Sequence, residues 1–177
     1  MKHNIKKEII NKGKMINTKL DLGCGSKKFP GYIGVDIGRF DYPEGEFVQA
    51  DINYPLPFSN ESFIEIKALQ TIEHINNNRK IEFMAEIHRL LKSGGIFIAE
   101  FPPPIDKNGN PNAIFFTDPT HTAWWTADTF ACFCKSFREQ DENKAIYEIG
   151  YSIDTQFEYL KKDWISDGEM HIELVKL

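Results

Sequence analysis

The chain alternates short apolar runs with polar breaks marked by glycine and proline. Leu20-Asp21-Leu22 breaks into Gly23-Cys24-Gly25, and Tyr32-Ile33-Gly34-Val35 ends on Asp36. Phe47 to Ala50 is a third short run, ending on Asp51. Ser62 to Leu69 is a fourth, rich in Ile and Phe. All four have the length and β-branched or aromatic content of strands. From Thr71 to Leu91 the period changes. Ile81, Met84, Ala85, Ile87, His88 and Leu91 recur at three- and four-residue spacing, which predicts one buried helical face, closed by Lys92-Ser93-Gly94-Gly95. Ile96 to Phe101 is apolar with almost no alternation, the pattern of a central strand covered on both faces. Residues 105–123 read as a long loop. Thr126 is a good N-cap for a helix from Ala127 to about Cys134, and 135–145 is charged and expected to be exposed. Two alternating runs, 157–165 and 170–176, flank Ser166-Asp167-Gly168, a strong hairpin signal.

The order is four strands, a helix, a strand, a helix and an antiparallel hairpin, which makes an open, mostly parallel α/β sheet. Its first crossovers are truncated. Six residues separate Gly25 from Tyr32, with Pro30-Gly31 among them, and the polar stretch 39–46 is equally short. A normal crossover helix needs a dozen or more residues. A ligand is expected at the carboxyl ends of the strands. There the glycines let a ligand approach the backbone, and Asp36 can accept hydrogen bonds from ribose hydroxyls.

Composition narrows the class. With 177 residues and 41% hydrophobic content, the chain reads as one domain spanning 1–177. Its net charge of -5 hides a basic arm: residues 1–28 carry eight lysines against Glu8 and Asp21, a balance of +6 that leaves -11 on the remainder. An acidic body argues against wrapping nucleic acid, which needs a broad basic face. The arm itself, 1–17, has Ile5, Ile9 and Ile10 at helical spacing over residues 2–15, and no apolar core of a signal peptide. No apolar run reaches the length of a membrane span. Three cysteines, an odd number, suit a reducing, cytoplasmic setting. Cys132-x-Cys134 lacks a second pair, so no zinc site is expected, nor any other metal.

The motifs resemble, in order and spacing, the class I S-adenosylmethionine (SAM) dependent methyltransferases. The resemblance runs through Leu20-Asp21-Leu22-Gly23-Cys24-Gly25, Gly34-Val35-Asp36, Ala50-Asp51, Glu73-His74 and Arg89-Leu90-Leu91-Lys92-Ser93-Gly94-Gly95, about residues 18–101. Asp118-Pro119-Thr120-His121 before an aromatic-rich helix start fits a compact branch with a shortened first helix. The resemblance implies a Rossmann-like fold with SAM as cofactor. Gly23 and Gly25 would let the methionine moiety approach, Asp21 would hold its amino group, and Asp36 the ribose hydroxyls. Ile37 would lie against adenine, Asp51 would accept from its N6 with Ile52 beside it, and Leu69 and Gln70 would sit near the transferring methyl. The family's third glycine falls at Lys27, in line with the truncated helix. A NAD fingerprint also needs that glycine, and an acid about 20 residues on; here Asp36 follows Gly25 by eleven.

The expected activity is methyl transfer to an O or N atom of a small-molecule or saccharide acceptor. The alternative is a SAM-binding partner or scaffold without turnover. An in-line displacement needs orientation above all, and a base only where the acceptor has a proton to lose. His121 is the candidate base, with Asp118 to orient it and His74 beside Glu73. Trp124, Trp125 and Phe116 are candidate acceptor contacts, and loop 102–126 the acceptor site. Without a separate substrate domain, a homodimer could complete the pocket.

Overall fold

A computed structural model describes residues 18–140 and 155–177. The basic arm and the helix expected within it lie outside the described residues. Seven strands form one sheet: β1 (Thr18–Leu22), β2 (Tyr32–Asp36), β3 (Phe47–Gln49), β4 (Phe63–Leu69), β5 (Leu91–Phe101), β6 (Phe157–Trp164) and β7 (Met170–Lys176). Their spatial order is β3-β2-β1-β4-β5-β7-β6. The first five are parallel, and β7 runs antiparallel between β5 and β6. The chain moves outward from β1 to β3, then returns to start again at β4. That reversal leaves a crevice at the carboxyl ends of β1 and β4, where such sheets bind ligands. No helix joins β1 to β2 or β2 to β3, as the short gaps predict.

One face of the sheet is closed. Leu22, Ala68, Ala99 and Ile172 lie side by side across four strands, as do Leu20, Ile66, Phe97 and Leu174. All are buried under α1 (Lys80–Leu90) and an aromatic layer of Phe83, Phe101, Trp125 and Phe130. The Trp125 and Phe130 rings stack with centroids 4.8 Å apart. The opposite face presents Lys19, Glu65, Lys67, Ile98, Glu100 and Glu173, none of them buried. The sequence reading of β5 as covered on both faces therefore needs correcting. Ile96, Ile98 and Glu100 are only half-buried, because the crossovers that would cover them are single turns.

The helix also starts later than its periodicity suggests. Ile75 is extended, and Asn76 Oδ1 accepts from Asn78 N–H, so Ile72–His74 and Asn77–Arg79 form separate 3₁₀ turns ahead of Lys80. Asparagine side chains compete with the helix for backbone groups and favour such caps. The inward face is Phe83, Met84, Ile87 and Leu90, while Ile81 and Ala85 point outward. The glycine pair does not follow the helix as a stop. Gly94 (φ 75°) and Gly95 instead make a bulge inside β5, between its pairings of Leu91 with Phe63 and Ile96 with Glu65.

Loop 102–126 contains a short helix that its sequence hides, α2 (Ala113–Thr117), capped by Asn112. Asn112 Nδ2 also donates to the carbonyls of Pro103 and Gly168, tying the loop to the hairpin turn. Two more short helices follow, α3 (Ala127–Ala131) and α4 (Lys135–Arg138). Thr126 caps α3 in a capping box with Thr129.

Candidate functional site

The glycine turn after β1 folds tightly because Thr71 fills the space beneath it. A Cβ on Gly23 would lie 2.3 Å from Thr71 Oγ1, and its φ of 64° is left-handed. The Thr71 hydroxyl shares its one proton between the carbonyls of Leu22, at 3.1 Å, and Leu69, at 2.9 Å, which ties the ends of β1 and β4 together. Gln70, at the tip of β4, has φ 50°, a strained conformation for a side-chain-bearing residue.

Asp36 ends β2 and spans two turns. Its Oδ2 accepts from Gly25 N–H at 2.9 Å, and its Oδ1 from Gly38 N–H at 2.7 Å. Asp51, after β3, commits Oδ1 to the backbone and side chain of Asn53. Beside them Ile37 is 70% exposed, a large apolar group with no cover. These residues wall one cleft, lined by Gly23, Asp36, Ile37, Asp51, Ile52, Asn53, Gln70, Thr71 and His74.

Six of the nine expected cofactor residues thus meet in that cleft. Three do not line it. Asp21 is buried, accepts from Phe29 N–H at 2.9 Å, and is raised above the usual carboxylate range chiefly by burial. Gly25 donates its N–H to Asp36, and Leu69 offers its carbonyl to the Thr71 hydroxyl. Asn53 and Thr71 were not legible as site residues. Their only signal was adjacency to Asp51 and Gln70.

The three candidate catalytic residues come together from two segments. Thr122 and Ala123 N–H both donate to the Glu73 carbonyl at 2.9 Å, docking the Asp118–His121 segment onto the turn after β4. The His74 and His121 rings stand 4.8 Å apart, centroid to centroid. Thr120 Oγ1 donates to Asp118 Oδ1 at 2.6 Å and meets His74 Nδ1 at 3.0 Å. His121 Nδ1 meets the Phe115 carbonyl at 3.0 Å, and its Nε2 lies 3.7 Å from Asp118 Oδ2. Asp118 and His121 line a second, more open groove with Ala113, Ile114, Thr117 and Pro119. His74 borders the first cleft, so the pair bridges the two.

Glu73 lies beneath both rings. It is 1% exposed, between buried Ile72 and Ile75, and neither carboxylate oxygen accepts a hydrogen bond. Burial pushes its carboxyl up to about 7; the nearby amides of Glu73 and Thr71 oppose the shift, and Asp118 and Glu169 add to it. Its Oε1 is 3.9 Å from His74 Nε2 and 4.0 Å from His121 Nε2. The sequence marked Glu73 only as a neighbour of His74. Its signal was an acid set between isoleucines.

The aromatic candidates divide. Trp125 is fully buried and donates its indole N–H to the Ile72 carbonyl at 2.9 Å, so it is a core residue and presents no face to an acceptor. Trp124 and Phe116 are 59% and 57% exposed, outside the walls of both grooves.

Residues 32–99 match the family model described as a methyltransferase domain. No curated protein matches the chain. Among solved structures, a SAM dependent methyltransferase from Archaeoglobus fulgidus is 18% identical, with TM-score 0.60, over 90% of this chain and 86% of that one. PigF, solved with SAH, is 15% identical, with TM-score 0.52, over 91% of this chain and 50% of that one. The [4+2]-cyclase SpnF is 15% identical, with TM-score 0.56, over 92% of this chain and 76% of that one. At such identities the likeness is one of fold.

Proposed function

We propose that the chain is a class I SAM-dependent methyltransferase, takes SAM as its cofactor and moves a methyl group to an O or N atom of a small-molecule or saccharide acceptor. The observation that carries this reading is the cleft wall on which Gly23, Asp36, Ile37, Asp51, Ile52 and Gln70 meet. Its residues fit the cofactor's parts. Asp36 has lone pairs beyond those used by Gly25 and Gly38, enough for ribose hydroxyls. Ile37 offers an uncovered apolar surface for adenine, and Asp51 keeps Oδ2 to accept from an exocyclic amine. When bound, SAM supplies an electrophilic methyl group on a sulfonium sulfur.

The chain's own part is orientation and the handling of the acceptor's proton. The groove of Ala113, Ile114, Thr117 and Asp118 receives the acceptor. Glu73, His74 and His121, between groove and cleft, act on the acceptor's proton, while Asp118 holds His74 through Thr120. We read residues 1–177 as one catalytic domain.

Calorimetry with S-adenosylhomocysteine tests the cofactor site: the wild type binds, and Asp36→Ala loses most of the affinity. Labelled SAM with a panel of hydroxyl and amine acceptors tests transfer. Tight binding without turnover on any acceptor would favour a non-catalytic SAM-binding partner.

A further inference from the structure

The Nε2 atoms of His74 and His121 both face the buried Glu73 carboxyl, yet no hydrogen bond joins the three. His121 Nδ1 meets a backbone carbonyl, which can only accept, so Nδ1 carries a proton, and in the neutral ring Nε2 is left with a lone pair. The same logic fixes His74. The single hydroxyl proton of Thr120 goes to the Asp118 carboxylate at 2.6 Å, so Thr120 Oγ1 must accept from His74 Nδ1, and His74 Nε2 is likewise a lone pair. Both lone pairs face Glu73 Oε1, at 3.9 and 4.0 Å. Glu73 is buried, and beyond the nearby amides of Glu73 and Thr71 neither of its oxygens has a hydrogen-bond partner, although a carboxyl so placed ordinarily finds one.

We propose that Glu73, His74 and His121 form a binding site for a divalent transition-metal cation, between the cofactor cleft and the acceptor groove. One ligand atom from each of the three lies within 4.8 Å of the others. Ligands on a tetrahedral cation with bonds of about 2.1 Å stand roughly 3.4 Å apart, so a contraction of under about 1.5 Å seats the ion. His74 can supply it, because its side chain is 40% exposed and stands on a short 3₁₀ turn.

The surrounding bonds are those that metal-binding histidines use. Each ring is held through Nδ1, one by a carbonyl and the other by a hydroxyl–carboxylate relay, which leaves Nε2 to coordinate. Two imidazoles with one carboxylate suit zinc, cobalt, iron or nickel, and suit magnesium poorly. Asp118 Oδ2, 3.7 Å from His121 Nε2, adds negative charge on the open side. On the function proposed above, on which this role rests, the cation would take the acceptor's O or N atom and lower its pKa, so that the proton leaves to water and Glu73, His74 and His121 act on it through the metal rather than as free bases.

The test uses the full chain, stripped with a chelator and titrated with Co²⁺, whose visible bands report nitrogen ligation. The wild type is expected to bind one equivalent saturably, Zn²⁺ to displace it, and Mg²⁺ to leave it in place. Glu73→Gln and His121→Gln each weaken Co²⁺ by roughly 100-fold. Because a change at buried Glu73 could disturb the fold, His74→Gln, on the surface turn, is the second probe and weakens it similarly. Absence of saturable Co²⁺ binding by the wild type, or binding undiminished in both Glu73→Gln and His74→Gln, overturns the site. S-adenosylhomocysteine calorimetry on the same wild-type sample reads the cofactor site separately, so the two proposals fail independently.

Discussion

A methyl group added to Gly23 would land against the Thr71 hydroxyl in a left-handed backbone, whereas one added to Gly31, at φ 80°, would meet nothing within 4 Å. The two substitutions separate strain from clash. Gly31→Ala should cost only the conformational part, about 1–2 kcal/mol. Gly23→Ala should cost clearly more, and should also weaken S-adenosylhomocysteine binding, because Thr71 joins the ends of β1 and β4. Equal unfolding free energies for the two variants would mean that the Thr71 contact is soft. The cysteines give a second expectation at this scale. Burial, with Asp21 and Asp36 nearby, pushes the Cys24 thiol up to about 11, and burial pushes Cys134 up to about 12. At pH 8 each is thiolate about one part in a thousand or less. Iodoacetamide on the native protein, read by mass spectrometry, should therefore label half-exposed Cys132 first.

Among the elements, the two adjacent tryptophans pose the sharpest contrast. Trp125→Ala should cost about 3–5 kcal/mol, because it empties a stacked core position. Trp124→Ala should change stability by no more than about 0.5 kcal/mol, because its side chain faces solvent. Thermal or urea unfolding checks both. From the sequence alone the pair looked alike, since a pattern of apolar residues does not say which side of an irregular segment packs inward. The regular elements were far more legible. β2 and the hairpin match their expected ends within one residue, and β1 ends at Leu22 as expected, because each is an apolar run bounded by glycine, proline or a carboxylate. The start of α1 was not legible, because Asn76 and Asn78 trade helix for local caps. Nor was α2, whose five residues are too few to show a period. The cofactor cleft was largely readable because strand ends fix Asp36, Asp51 and Gln70 in register. Of the cluster around Glu73, His74, Asp118 and His121 were legible but the buried acid they surround was not, because the cluster joins Glu73 to Thr122 and Ala123, 122 − 73 = 49 and 123 − 73 = 50 residues on, through their backbone bonds.

At the scale of the molecule, the sheet has one apolar face and one charged one. Lys19 pairs with Glu65 at 3.0 Å, and Tyr32 donates to the same carboxylate. A double-mutant cycle on Lys19 and Glu65 should give about 0.2–1 kcal/mol and shrink as salt is added. Most of the stability then belongs to the covered face, and hydrogen exchange should be slowest in β1, β4 and β5. The strand order also governs how the chain assembles. β7 comes after the other six strands in chain order, yet it lies inside the sheet between β5 and β6, and its nearest pairing to β5, Met170 with Phe101, closes a loop of 170 − 101 = 69 residues. Until that loop closes, the long edge of β5 is an open template for another chain. Damage to Ile172 or Leu174 should thus appear first as aggregation during synthesis and refolding, with a concentration-dependent yield, and only afterwards as a lower melting temperature.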